Sequence, residues 1–177
     1  MTINILRYIL LCLLLTLAVH SAIAQNAPIT TAGTVGGAVP GSVDVPITVT
    51  DFNNIGAISL SIDYNYAVMQ FVAGTPSPDL PSFPIGDLDL ANGYHRLTMG
   101  WFGNGVTLAD GDTIMTMHFT YISGTSTLTW QDNGPSCEYA DGDYNVLNDL
   151  PTGEYYINGF VCGSLANPGT ITGENSV

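Results

Sequence analysis

The sequence predicts an all-β domain built as a sandwich of two sheets. Apolar residues alternate with polar ones in run after run, and turn-forming residues punctuate the runs. After the first 24 residues no stretch carries the three-to-four-residue apolar spacing of a helix. Alternation puts one face of a strand on a core and the other toward solvent, because successive side chains of an extended chain point to opposite sides. The β-branched and aromatic residues that fill these runs suit a pleated surface.

Taken in order, the chain opens with an export address. Arg7 supplies a positive start, Tyr8 to Val19 an apolar stretch, and Ala22-Ile23-Ala24 a small-x-small cleavage pattern. Cleavage after Ala24 makes Gln25 the first mature residue. The apolar stretch of about 12 residues is too short for the roughly 20 that a spanning helix needs, so no membrane insertion is expected after cleavage. Cys12 does not read as a lipid-attachment site, since Leu11 stands where lipoprotein processing takes a small residue. The first alternating set is Val43, Val45, Ile47 and Val49, followed by Ile58, Leu60, Ile62 and Tyr64. Leu97, Met99 and Trp101 form a third set, and Met115, Met117, Phe119 and Tyr121 a fourth. Leu128 and Trp130 mark a fifth strand and Glu154 to Cys162 the last. Turn signals such as Pro40-Gly41, Asn92-Gly93, Asn104-Gly105, Asp110-Gly111 and Asn133-Gly134-Pro135 separate them. Pro76, Pro78, Pro81 and Pro84 make Gly74 to Leu90 a long loop with at most a short edge strand. The domain thus occupies residues 25–163, and residues 164–177 have the small, polar composition of a linker that would join it to a longer architecture.

Composition narrows the partners. Removal of residues 1–24 from the 177 leaves 153, one domain of ordinary size, with Arg96 as its only basic residue against 15 acids, a formal charge of −14. Such a chain does not bind nucleic acid or an anionic membrane, both of which need basic patches. Yet 46 % of the sequence is apolar and the acids are scattered through turns, so the chain folds.

The strand texts resemble a cohesin domain. Val45 to Val49, then Phe52 to Ala57, then Ile62-Asp63-Tyr64-Asn65-Tyr66 with the following Val68 to Val72, is similar to the opening of that family, with Asn65 and Tyr66 standing where Asp and Pro are usual. Leu97 to Phe102 resembles its central strand, Leu108 to Ile114 its next turn and strand, and Glu154 to Val161 its closing strand. The resemblance covers nearly the whole of residues 25–163. It implies a nine-stranded jelly-roll sandwich, related in fold to carbohydrate-binding modules of families 2 and 3. It also implies a secreted module without catalysis or cofactor that holds a dockerin-type protein module in an extracellular polysaccharide-degrading assembly. In the family the dockerin lies across the outer face of one sheet. Carried onto this chain, that face offers Ala57, Ser59, Ser61 and Asp63 from one strand, and Thr98, Gly100 and Phe102, then Gly103 and Asn104, from its neighbour. Phe102 is the one large apolar residue in outward register and is the expected anchor.

Catalytic signatures are absent from the sequence: there is no Gly-x-Ser-x-Gly elbow and no His-Glu-x-x-His. His95 and His118 are read as solvent-facing strand residues, and Trp101 and Trp130 as core. Cys137 and Cys162, an even pair in an oxidising compartment, are expected to form a disulfide, with two separately buried thiols as the alternative. Asp141, Asp143 and Asn145 have the first three oxygen positions of a calcium loop, but Val146 and Thr152 stand where such a loop wants Gly and Glu, so the segment is read as a hairpin turn. Direct polysaccharide binding is the rival function, with Tyr66, Tyr94, Phe102, Tyr139, Tyr144, Tyr155 and Tyr156 as candidate platforms for sugar rings. A structural adhesin domain is the third reading.

Overall fold

The structure, a computed structural model, describes residues 25–163; the leader reading of residues 1–24 and the linker reading of residues 164–177 lie outside them. Strands β1 (Ile29–Ala32), β2 (Thr34–Ala38), β3 (Gly41–Thr50), β4 (Ile55–Asn65), β5 (Met69–Pro76) and β6 (Ile85–Asp89) form the first half. Strands β7 (Tyr94–Val106), β8 (Thr113–Tyr121), β9 (Thr125–Trp130), β10 (Glu138–Asp141), β11 (Tyr156–Ile157) and β12 (Gly159–Gly163) complete it. No helix occurs among the described residues. One sheet runs β11-β1-β3-β8-β5 and the other β2-β12-β9-β4-β7-β6, with β10 lying beside β4.

The expected count of nine is recovered once two strands are recognised as continuous ribbons that change sheets. β1 belongs to one sheet and β2 to the other, with Gly33 between them; β11 and β12 run parallel to them and change sheets at Asn158. The crossing is tight: a Cβ on Gly33 would sit 2.8 Å from the ring of Pro46, and one on Gly159 would run into the carbonyls of Ala32 and Gly33. Only β10 is then extra to the nine.

The alternating sets fill the space between the sheets. Val45, Ile47 and Val49 of β3 face Ile58, Leu60, Ile62 and Tyr64 of β4, with Leu97, Met99 and Trp101 of β7 and Met115, Met117 and Phe119 of β8 around them, all buried. Both tryptophans are in the core as expected, and each indole N–H finds a carbonyl: Trp101 donates to Pro81 (3.1 Å) and Trp130 to Ile157 (3.0 Å). The Pro-rich stretch yields two strands, the end of β5 and the edge strand β6. The loop between them buries Leu80 and Phe83 against the core.

Three expectations need correction. β7 does not end near Phe102 but continues through Asn104-Gly105 to Val106, so that dipeptide is strand, not turn. His95 does not face solvent. It shares the inward register of Leu97 and Met99 at the rim of the sandwich, stacked on Tyr66 (centroids 4.0 Å apart) with Nδ1 3.0 Å from Asp87. His118 does lie on the outer side of its sheet, between Asp44 (2.7 Å) and Thr75 (2.8 Å). The disulfide is not formed: Cys137 and Cys162 are both free thiols. Cys162 pairs with Thr125 at the start of β9, whereas the Cys137 thiol donates to the carbonyl of Ser61 (3.5 Å), next to Ile62, the partner of Trp130 at the far end of β9. Five residues of strand are about 17 Å at roughly 3.4 Å each, far beyond the ~7 Å between Cα atoms that a disulfide can bridge.

Candidate binding face

β4 and β7 lie side by side with Ala57 opposite Phe102, Ser59 opposite Gly100, Ser61 opposite Thr98 and Asp63 opposite Arg96. Directly opposed residues share a sheet face. Their inward neighbours Ile58, Leu60, Ile62, Leu97, Met99 and Trp101 are buried, so this set faces outward. The structure therefore brings Ala57, Ser59, Ser61, Asp63, Thr98, Gly100 and Phe102 onto one surface, as the sequence predicts. Gly103 and Asn104 follow along the same strand.

The middle of the face is an open groove of about 640 Å³. Ser59, Ser61, Thr98 and Gly100 form its floor. Pro84, Ile85 and Gly86 of the β6 edge form one wall, and Pro135 and Ser136 the other. The second wall covers part of the expected surface. Ser59 Oγ donates to the carbonyl of Pro135 (3.0 Å), and Ser61 is buried. At one end Asp63 is engaged by the guanidinium of Arg96 through two bonds of 2.6 and 2.9 Å, which hold Arg96 still more firmly in its charged form. At the other end Phe102 stands 82 % exposed. Gly103 is required there, since a Cβ would lie 2.6 Å from the Trp101 ring.

Beside β4, β10 extends this face. Glu138 opposes Ser59 and Ala140 opposes Ala57, and beyond the turn Val146 bridges back to Ala140. The turn is the segment with partial calcium spacing, and its chemistry is internal. The Asp141 carboxylate accepts from the backbone N–H of Asp143 (2.9 Å) and of Asn145 (2.8 Å) and from the Asn145 side chain, and these bonds lower its pKa. Among the described residues no three His, Cys, Asp or Glu side chains gather as a metal site. Tyr144, at φ +64°, donates its hydroxyl to the carbonyl of Gly103 (3.2 Å).

The candidate sugar platforms do not form a line. Tyr139 and Tyr156 are buried, and Tyr155 packs against the core. Tyr66 and Tyr94 stand at one end of β7 while Phe102 and Tyr144 stand at the other, about 27 Å away for eight residues of strand at ~3.4 Å each. A second cleft, of about 470 Å³, opens elsewhere between Gln25 and Asn53, bridged by the Gln25 side-chain amide donating to the Asn53 carbonyl (2.6 Å).

The model of the cohesin domain family matches residues 29–148, from β1 to just past the β10 turn. The chain belongs to the cohesin domains. These are non-catalytic binding modules. No curated protein sequence matches this cohesin. Solved structures do. The cohesin of a novel type I cohesin–dockerin complex, OlpC of Clostridium thermocellum, superposes with a TM-score of 0.61 at 13 % identity, over 82 % of this chain and 99 % of that one. The CaCohA2 cohesin of Clostridium acetobutylicum gives 0.58 at 16 % identity, over 81 % and 95 %. A non-cellulosomal cohesin of the archaeon Archaeoglobus fulgidus gives 0.57 at 17 %, over 78 % and 91 %. At these identities the likeness is one of fold. What sequence reading missed in this cohesin is β10 and the outward side chains it carries, Tyr144 and Val146. Their only signal was two apolar residues beside a turn.

Proposed function

We propose that this cohesin is exported and binds a dockerin-type protein module on the outer face of β4 and β7, without catalysis, within an extracellular polysaccharide-degrading assembly. The observation that carries the reading is Phe102: a large aromatic 82 % exposed in mid-strand, beside a groove floored by Ser, Thr and Gly. A soluble domain has little reason to hold a bare phenylalanine on a rigid strand unless a partner covers it, and small floor residues let a partner backbone approach closely. Family membership supports the partner class, and several structurally similar cohesins were solved with a dockerin bound. Export rests on the leader-like sequence of residues 1–24, and Gln25 at the N-terminus of the secreted protein would be its signature. Direct polysaccharide binding draws no support from the scattered aromatics.

The test is titration calorimetry against each dockerin module encoded in the same genome. Phe102→Ala should weaken binding by about 2 kcal/mol, roughly 30-fold in Kd, with the thermal midpoint unchanged. Unaltered affinity removes Phe102 as the anchor, and retardation on polysaccharide gels with no dockerin binding would replace the reading altogether.

A further inference from the structure

Resting on that reading, we infer that the β10 hairpin is a second, specificity-setting half of the binding face, and that the partner surface it fits is an apolar ridge flanked by lysine or arginine. Tyr144 and Val146 are 58 % and 59 % exposed. They do not stand alone. Val146 opposes Ala140, Ala140 opposes Ala57 and Ala57 opposes Phe102, so one row across neighbouring strands joins the hairpin to the expected anchor. The Tyr144 hydroxyl reaches the carbonyl of Gly103, the residue after Phe102, and closes the cluster from the turn side.

The hairpin is also rigid. Tyr139 and Leu147 are buried beneath it, and the Asp141 carboxylate ties the turn through Asp143 and Asn145. Its tip holds a tyrosine at φ +64°, a conformation that non-glycine residues, aromatic ones included, adopt seldom and at a cost. A strained backbone that holds an aromatic ring in solvent, beside an already exposed Phe, fits a surface shaped for contact. The alternative of a merely structural turn gives no reason for either exposed side chain.

Charge decides the partner's chemistry. Glu138 lies two residues before Ala140 on the same side of β10, and Asp141 and Asp143 flank the cluster on the turn side. The one cation on the face, Arg96, is already bonded to Asp63. The chain as a whole carries a formal charge of −13. A partner contacting Phe102, Tyr144 and Val146 therefore meets uncompensated carboxylates at the rim, and a basic side chain there would both steer encounter and pair with Glu138.

The experiment uses the tightest-binding dockerin from the titrations above. Val146→Ala should raise Kd about fivefold. Glu138→Lys should raise it about tenfold or more, mainly through a slower association rate, and flatten its dependence on salt. Thermal midpoints of the variants show that each is folded. If both leave Kd within a factor of two while Phe102→Ala weakens binding, the hairpin half is wrong and the main reading stands. If Phe102→Ala changes nothing while the hairpin variants weaken binding, the hairpin is right and the anchor wrong. If no dockerin binds, both fail. Tighter binding by Glu138→Lys would overturn the assignment of a basic partner.

Discussion

Cys137 and Cys162 show how far a residue's neighbourhood can diverge from its place in the sequence. Both precede or lie in strands of one sheet, yet one sits under β4 and the other at the opposite end of β9. Burial pushes the Cys137 thiol up to about 11, so it is protonated and shielded at neutral pH. Under native conditions a thiol reagent should label Cys162 alone, and Cys137 should react only on unfolding; a secreted product two hydrogens lighter than the reduced chain would contradict the free-thiol arrangement. Asp141 gives a second residue-level expectation. Its folded pKa is lowered by hydrogen bonds from Asn145 and Asp143, so its contribution is complete above the ordinary carboxylate value and is lost as pH falls through the depressed one. Amide exchange at Asp143 and Asn145, corrected for intrinsic rates, should therefore stay protected down to about pH 4 and loosen below it. Phe102 was legible from its alternation with Trp101. The partial cover over Ser59 and Ser61 was not, because Pro135 and Ser136 come from 70-odd residues downstream and no local pattern encodes that approach.

Strands with two different faces could be read, and strands without them could not. β3, β4, β7 and β8 each have a core side and an outer side, so their period of two was plain. β6 lies at a sheet edge with almost every residue exposed, and β10 is four residues long and takes its register from β4, so neither writes an alternation into the sequence. The sheet-changing ribbons were invisible for another reason. One apolar run spans both halves, and only a glycine at the crossing betrays it. That glycine should be intolerant. Gly159→Ala places a methyl against the Ala32 and Gly33 carbonyls, and relief must come from moving β1 away from β11. Overpacking of this kind costs about 1–3 kcal/mol. At roughly 2–4 °C per kcal/mol for a domain of this size, the midpoint should drop by about 2–12 °C. Gly36→Ala, on open β2 backbone with nothing within 4 Å, is the matched control and should lie within about 1 °C. Equal midpoints for both variants would mean that the crossing is looser than the structure describes.

At the scale of the molecule, the dominant electrostatic fact is imbalance. Among the described residues the only Arg or Lys ion pair is Asp63–Arg96, and the formal charge of the chain is −13. Carboxylates spread over a surface with almost no counter-charge repel one another, and compaction raises that repulsion. Salt shortens its reach, since the Debye length falls from about 30 Å at 0.01 M to roughly 8 Å at 0.15 M. A protein held together by many surface ion pairs would lose from screening what it gained, but this one has a single such pair, half-buried and therefore weakly screened. The midpoint of thermal unfolding should thus rise by a few degrees between about 0.01 and 0.15 M NaCl. The same screening should slow association with a basic partner, because the field that destabilises the free domain is the one that draws the partner in. Stability and association rate should therefore respond to salt in opposite directions. A midpoint that falls with added salt would show that attraction, not repulsion, governs the surface, and the charge argument for the partner would fall with it.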